Sequence, residues 1–246
     1  MPLEFVDFTR VFNFRDLGGY RTRDGRSIRS GVLFRSDNLG GLRDADRERF
    51  VAMGIRTIVD LRKPYEILRH GRAPEWSCAT WHNVALKNPA WLNEDYSDED
   101  GPVAYLVARY LESAELTGGE YARVLRILAD PQSLPVAVHC LGGRDRTGMV
   151  FAMLLDLLGV PDDVIAADYH FTEEATQRWF TWYRSVRPAA EDLPPYLAVT
   201  PPEVILTVLG KLRERHGSIA DYVGSHGLAR SEIASLRSLY LEDRRS

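Results

Sequence analysis

Apolar positions fall in short runs near the N-terminus and in helical stripes further on. Gly31-Val32-Leu33-Phe34-Arg35-Ser36 and Ile55-Arg56-Thr57-Ile58-Val59-Asp60-Leu61 are β-branched or aromatic runs with polar ends, and each predicts a strand. Asp44 to Met53 fits a short helix that Gly54 stops. Thr80 to Ala85 predicts a third strand, and Pro135-Val136-Ala137-Val138 a fourth whose apolar run suits a buried parallel sheet. Helical spacing covers Ala104–Leu111, Tyr121–Leu128 and Met149–Leu158, the last closed by Gly159 and Pro161. The C-terminal third predicts helices throughout. Thr200-Pro201-Pro202-Glu203 has the form of a capping box opening a helix towards Arg215 that Gly217 ends, and Ser218–Ser225 and Ser231–Leu241 follow. Strands interleaved with helices predict an α/β fold: a central, mostly parallel sheet flanked by helices, with a helical C-terminal third. No repeat, low-complexity tract or linker interrupts the pattern, so residues 1–246 are expected to form a single domain.

Composition narrows the function classes. The formal net charge of -4 over 246 residues argues against nucleic acid as the partner, because such binders carry a basic stripe. The bases are almost all Arg, with lysines only at 63, 87 and 211. Two cysteines, Cys78 and Cys140, make no disulfide framework and point to a reducing compartment. The N-terminus lacks the pattern of a signal peptide, and the apolar run Met149–Val160 is broken by Asp156 and too short for a bilayer. A cytoplasmic, soluble protein without a membrane anchor is expected.

The chemistry concentrates in His139-Cys140-Leu141-Gly142-Gly143-Arg144-Asp145-Arg146-Thr147-Gly148, between the apolar strand and the following helix. Successive N–H groups of Leu141 to Arg146 can curl into a nest at the positive end of the helix dipole, with Gly142 and Gly143 permitting the curl. A dianionic phosphoryl group fits that cup, and the fork of Arg146 can take two of its oxygens. Cys140 lies at the base, where such a field favours the thiolate, and a thiolate in line behind phosphorus would form a phosphocysteine. Thr147 can donate its hydroxyl to the sulfur when it departs, and His139 is expected to anchor the loop. A nucleotide-binding phosphate loop would need Gly-Lys-Ser/Thr, and rhodanese-like sulfurtransferases close a similar loop one residue shorter.

The complete run resembles the phosphate loop of the protein tyrosine phosphatase superfamily. Asn13-Phe14-Arg15-Asp16-Leu17-Gly18-Gly19-Tyr20, Phe34-Arg35-Ser36-Asp37, Ile58-Val59-Asp60-Leu61-Arg62 and the last helices, through Tyr222 and Ser231-Glu232-Ile233, are similar to its bacterial and fungal lipid-phosphatase-like branch, the atypical dual-specificity one. The resemblance implies a phosphatase fold with a central sheet, no metal or organic cofactor, and a phosphorylated protein, phospholipid or small phosphoester as substrate. It implies Cys140, Arg146, Asp145 and Thr147 as catalytic residues and Leu141, Gly142, Gly143, Arg144 and Asp60 around the substrate. Members with phosphoinositide activity usually carry Lys where this chain has Arg144. A phosphate-binding adaptor without catalysis and a metabolic small-molecule phosphatase are the alternative readings.

Three places offer a general acid. Asp145 lies in the loop, where the branch resemblance favours it, against a bracing role. Asp60 ends a strand where α/β sites form, against a carboxylate bonded to Arg62 or a backbone amide. The acidic stretch Glu94–Asp100, around Asp95, lies where other branches carry a movable acid loop, against a solvated face. Arg15-Asp16 with Gly18-Gly19 suggests a salt-bridged turn under the site. Trp179, Phe180, Trp182 and Tyr183 could lid an aromatic substrate, although aromatics at this spacing more often pack a core.

Overall fold

The computed structural model describes residues 3–87 and 96–243. Strands β1 (Arg15–Asp16), β3 (Leu33–Ser36), β4 (Thr57–Asp60), β5 (Thr80–Asn83) and β6 (Val136–His139) form one sheet in the order β1-β3-β6-β4-β5. Only β1 is antiparallel. A small second sheet pairs β2 (Ser27–Ile28) with β7 (Leu241–Glu242), tying the C-terminal end to the N-terminal region.

Side chains alternate across a strand, and here the alternation sorts two cores. Leu33, Val59, Val136 and Val138 face the larger core, and Phe34, Ile58 and Ala137 face a smaller aromatic one with Phe14 and Phe50. The larger core is built by α3 (Gly101–Leu128), α4 (Asp145–Leu158), α5 (Asp162–His170), α8 (Pro202–His216), α9 (Ile219–Ser225) and α10 (Arg230–Tyr240). The smaller is capped by α1 (Arg47–Ala52) and the N-terminal segment. The mixed α/β fold with a mostly parallel sheet is therefore the expected one.

Several boundaries differ from the pattern. The two stripes in α3 are one element that kinks at Thr117, whose hydroxyl donates back to the carbonyl of Ser113 at 2.7 Å. Gly118 follows because a Cβ there would lie 2.3 Å from the His226 ring. The capping box at Thr200 does not form. Helix α8 has Pro201 as its N-cap, and the Thr200 N–H donates to Glu173 at 2.6 Å. Four helices had no bounds read from the pattern: α2 (Pro64–His70), α6 (Thr172–Val186), the single turn α7 (Pro195–Ala198) and α5, the last three falling where the C-terminal third was expected to be helical in general. The first two are polar on most faces because they border a cleft, so their apolar stripe is narrow.

The register places the site. Ser36, His139 and Asp60 form one row across β3, β6 and β4. The chain beyond that row, at Asp37, Cys140 and Leu61, leaves the sheet at its C-terminal edge, the usual location of α/β ligand sites.

Candidate active site

Cys140 is buried immediately after β6, and its Sγ accepts a hydrogen bond from the Gly143 amide at 3.2 Å. Three different elements hold the loop carbonyls that follow. The Leu141 carbonyl accepts from the Asn38 amide at 3.1 Å, the Gly142 carbonyl from Asn13 Nδ2 at 3.0 Å, and the Gly143 carbonyl from Arg35 Nη2 at 2.7 Å. In a trans peptide the N–H points opposite to the carbonyl, so three outward carbonyls turn the amides of Gly142, Gly143 and Arg144 the other way, into the cup. Gly143 has φ +72°, and a Cβ on it would sit 2.6 Å from Asn13 Nδ2 and from the Ser36 carbonyl. Gly142, expected to serve the same purpose, has open space around it.

The α4 helix begins at Asp145, four residues before its apolar stripe, so Arg146 and Thr147 belong to its first turn. Arg146 is gripped end-on by Glu66 of α2, with Nη1 to Oε2 at 2.6 Å and Nη2 to Oε1 at 2.7 Å. Burial would lower the Arg146 pKa, but Glu66 and Cys140 raise it above the ordinary value. Burial likewise pushes Glu66 up, and Arg146 outweighs it and holds the carboxyl below the usual range. The spacing could not have found Glu66, although it lies only four residues beyond the Arg62 that closes a recognised stretch. The Thr147 hydroxyl is buried without a hydrogen-bond partner among the described residues, so the expected bond to sulfur is not formed here.

Arg144 and Asp145 lock together. Arg144 Nε donates to Asp145 Oδ1 at 2.8 Å, and the Tyr110 hydroxyl donates to the same oxygen at 2.5 Å. Arg144 Nη1 reaches the carbonyls of Tyr196 and Val199 at 2.8 and 3.0 Å. The Arg144 side chain, expected to contact substrate, is instead a buried staple between the loop and the segment carrying α7, though it still borders the cleft with Asp145.

Asp60 is not brought to the cleft. It is fully buried, with Oδ1 and Oδ2 taken by Arg62 Nε and Nη2 at 2.8 and 2.6 Å, which is the bracing alternative. Burial pushes its carboxyl up, but His139 and Arg62 outweigh that and hold it low. His139 anchors the loop through Nδ1 and the Cys140 carbonyl, 3.1 Å apart, and burial lowers its pKa to about 4. The acid position near Asp95 lies outside the described residues. Arg15 does not pair with Asp16. It joins Asp168 of α5 at 2.9 Å, and Arg35 reaches the same carboxylate, so a buried hub supports the loop from below. Asp16 accepts the amides of Gly18 and Gly31.

A cleft of about 840 Å³ opens above Cys140. Its aromatic walls are Phe12, Tyr65, Trp179 and Trp182. Trp182 packs against Phe12 with ring centroids 5.6 Å apart, and Trp179 stacks on Tyr183. None of the four α6 aromatics is buried, which corrects the core-packing reading.

A model of the tyrosine phosphatase family matches residues 6–242, and the chain belongs to that family. It is a phosphoric monoester hydrolase of the cysteine-dependent protein tyrosine phosphatase type. It is 27% identical over 273 residues to the triple specificity protein phosphatase PtpB of Mycobacterium tuberculosis, covering 94% of this chain and 97% of that one. It is 27% identical to a tyrosine-protein phosphatase of Nostoc commune, across 58% of this chain and 49% of that one. Among solved structures, the core catalytic domain of the PP-IP phosphatase SIW14 from S. cerevisiae, in complex with citrate, aligns at 15% identity and a TM-score of 0.41, covering 85% of this chain and 95% of that one. Among the described residues no helix is long and apolar enough to cross a membrane.

Proposed function

We propose that the protein hydrolyses aryl phosphate monoesters of the phosphotyrosine kind, with Cys140 as nucleophile. The sulfur attacks phosphorus in line, forming an S–P bond as the P–O bond to the aryl group breaks, and Asp145 gives the departing oxygen its proton. Water then attacks the phosphocysteine, releasing inorganic phosphate and the thiolate, with the Thr147 hydroxyl turning to the sulfur as it leaves. The amides following Leu141, Gly142 and Gly143 bind phosphoryl oxygens. Glu66 takes the end of the Arg146 guanidinium, so the side edge carrying Nε faces the substrate and stabilises the equatorial charge. Asp60 and Arg144 support the loop in this reading.

The observation that carries the proposal is the set of three carbonyls turned out onto Asn38, Asn13 and Arg35, which aims consecutive amides over a sulfur. The aromatic walls favour an aromatic ester, and the triple specificity in the name of the mycobacterial relative supports a range extending to phosphoserine, phosphothreonine or phosphoinositides. A nucleophile that must stay reduced suits the cytoplasm. The test is Cys140→Ser. Turnover of phenyl phosphate should vanish while phosphate or vanadate still binds, because amides and Arg146 make the cup. Retained turnover would end the covalent mechanism.

A further inference from the structure

Asp145 opens α4, where the first amides of the helix lack partners and attract a carboxylate. Its side chain is fixed by two other donors. Arg144 Nε and the Tyr110 hydroxyl both bond Oδ1, at 2.8 and 2.5 Å, and the Tyr110 hydroxyl is in turn 2.8 Å from that of Tyr169. Both donors meet the same oxygen, so proton donation into the cleft that Asp145 lines falls to Oδ2.

The same guanidinium holds a second element. Arg144 Nη1 lies 2.8, 3.2 and 3.0 Å from the carbonyls of Tyr196, Leu197 and Val199. The last carbonyls of a helical turn have no donor of their own, and α7 is a single turn, so a cation suits them. The segment is also fixed elsewhere. The Tyr196 ring packs on those of Tyr96 and Tyr105, with centroids 5.2 and 4.8 Å away, and Thr200 bonds to Glu173 and His170. Leu193 and Leu197 line the cleft, so the segment is part of its wall. Arg144 itself is buried. Burial would lower its pKa, but Asp145, Tyr110 and Tyr169 raise it above the ordinary value, and the guanidinium keeps its charge. A planar fork reaches both sets of acceptors, whereas an ammonium has one nitrogen and cannot.

We propose that Arg144 is a positioning residue that joins the proton donor to the cleft wall: Asp145 and residues 196–199 keep their places through one guanidinium. Displacing the wall then displaces the acid, and the loss falls on leaving groups that need a proton. This rests on the reading of Asp145 as the acid. The cup for the phosphoryl group is made by the loop amides and Arg146, so phosphate affinity is spared.

The experiment compares turnover of phenyl phosphate, whose leaving group needs a proton, with that of 4-nitrophenyl phosphate, whose leaving group does not. The parent and Asp145→Asn are measured first. Absence of turnover by the parent would sink the phosphatase reading, and equal slowing of both esters by Asp145→Asn would sink the acid. Either result takes the coupling with it, and is seen before any Arg144 variant is read. Arg144→Met should then slow phenyl phosphate about tenfold or more, part of the roughly 100- to 10,000-fold that a placed proton donor is worth. It should slow 4-nitrophenyl phosphate far less and keep the affinity for vanadate. Arg144→Lys should show the same bias, because charge alone does not reach both partners. Leu197→Gly, at an exposed position, frees the backbone of the wall without altering the loop, and should bias the rates in the same direction. In the Asp145→Asn protein none of the three should deepen the loss on phenyl phosphate, since their effect passes through the missing acid. Equal slowing of both esters with weakened vanadate binding would make Arg144 a brace of the loop and overturn the coupling. So would additive losses in the Asp145→Asn protein, or a Leu197→Gly protein with the parent's ratio of rates. Melting temperatures check folding, and if Arg144→Met does not fold, Arg144→Lys and Leu197→Gly carry the test.

Discussion

Cys140 and Asp145 sit within six residues, yet the loop gives them opposite surroundings. The sulfur meets an amide, whereas Asp145 Oδ1 is already bound by Arg144 and Tyr110. Proton donation to the leaving group must therefore come from the other carboxyl oxygen. If Asp145 is the acid, Asp145→Asn should slow alkyl phosphates by about 100- to 10,000-fold, the usual worth of a positioned proton donor. An activated nitrophenyl phosphate, whose leaving group needs no proton, should barely notice. Equal slowing of both would make Asp145 a brace, as its two partners already suggest it partly is. Tyr110 is a positioning residue in the same scheme: Tyr110→Phe should steepen the dependence of kcat on leaving-group basicity. Arg146→Lys should lose most of the rate, because an ammonium cannot satisfy Glu66 and a phosphoryl edge together. Glu66→Gln should lower kcat more than it raises KM, since it loosens the arginine without removing it.

The phosphate loop is an element held by its neighbours. Its own residues supply the glycine that the turn requires, but Asn13, Arg35 and Asn38 hold its carbonyls. Gly143→Ala should be worse than Gly142→Ala. The former puts a Cβ within 3 Å of backbone in a left-handed conformation, whereas the latter meets nothing within 4 Å. Activity of Gly142→Ala should stay within a few-fold of the parent, and Gly143→Ala should lose activity and melt lower. Arg35→Met would both free the Gly143 carbonyl and strip one cation from buried Asp168, leaving Arg15 as its remaining guanidinium. Breaking one side of such a buried cluster typically costs about 3–5 kcal/mol, so chemical denaturation should show a loss of that size.

At the scale of the whole molecule, two buried groups give stability an unusual pH response. Burial lowers His139 to about 4 and raises Asp37 to about 6. The unfolded chain has His near 6.5 and Asp near 3.9. Between about pH 4 and 6.5 the unfolded state therefore binds the His139 proton preferentially, and stability falls as pH drops. Over about pH 4 to 6 the folded state binds the Asp37 proton preferentially, and stability falls as pH rises, so the two slopes oppose each other. Asp37→Asn leaves His139 unopposed. Its unfolding free energy, relative to the parent, should fall by about 2 kcal/mol from pH 6.5 to 4, and parallel curves would refute the assignment. The strands were legible because Leu33 to Ser36, Thr57 to Asp60 and Val136 to His139 carry their own apolar runs. So was the loop after β6, because Cys140, Gly143 and Arg146 lie within one continuous stretch between a strand and a helix. Asp168 and Glu66 were not legible, and the cleft-facing Trp179 and Trp182 of α6 were legible only as one of two readings. Asp168 lies 153 residues from Arg15 and 133 from Arg35, and Glu66 lies 80 from Arg146. A charge partner at such separation leaves no periodicity to read. Local sequence by itself determined the strand–loop–helix and its chemistry, because those depend on backbone freedom and near neighbours. Only the tertiary structure decided which partner each arginine takes, Glu66 for Arg146, Asp145 and backbone carbonyls for Arg144, and Asp168 for Arg15 and Arg35, because that choice depends on what the fold lays beside each guanidinium.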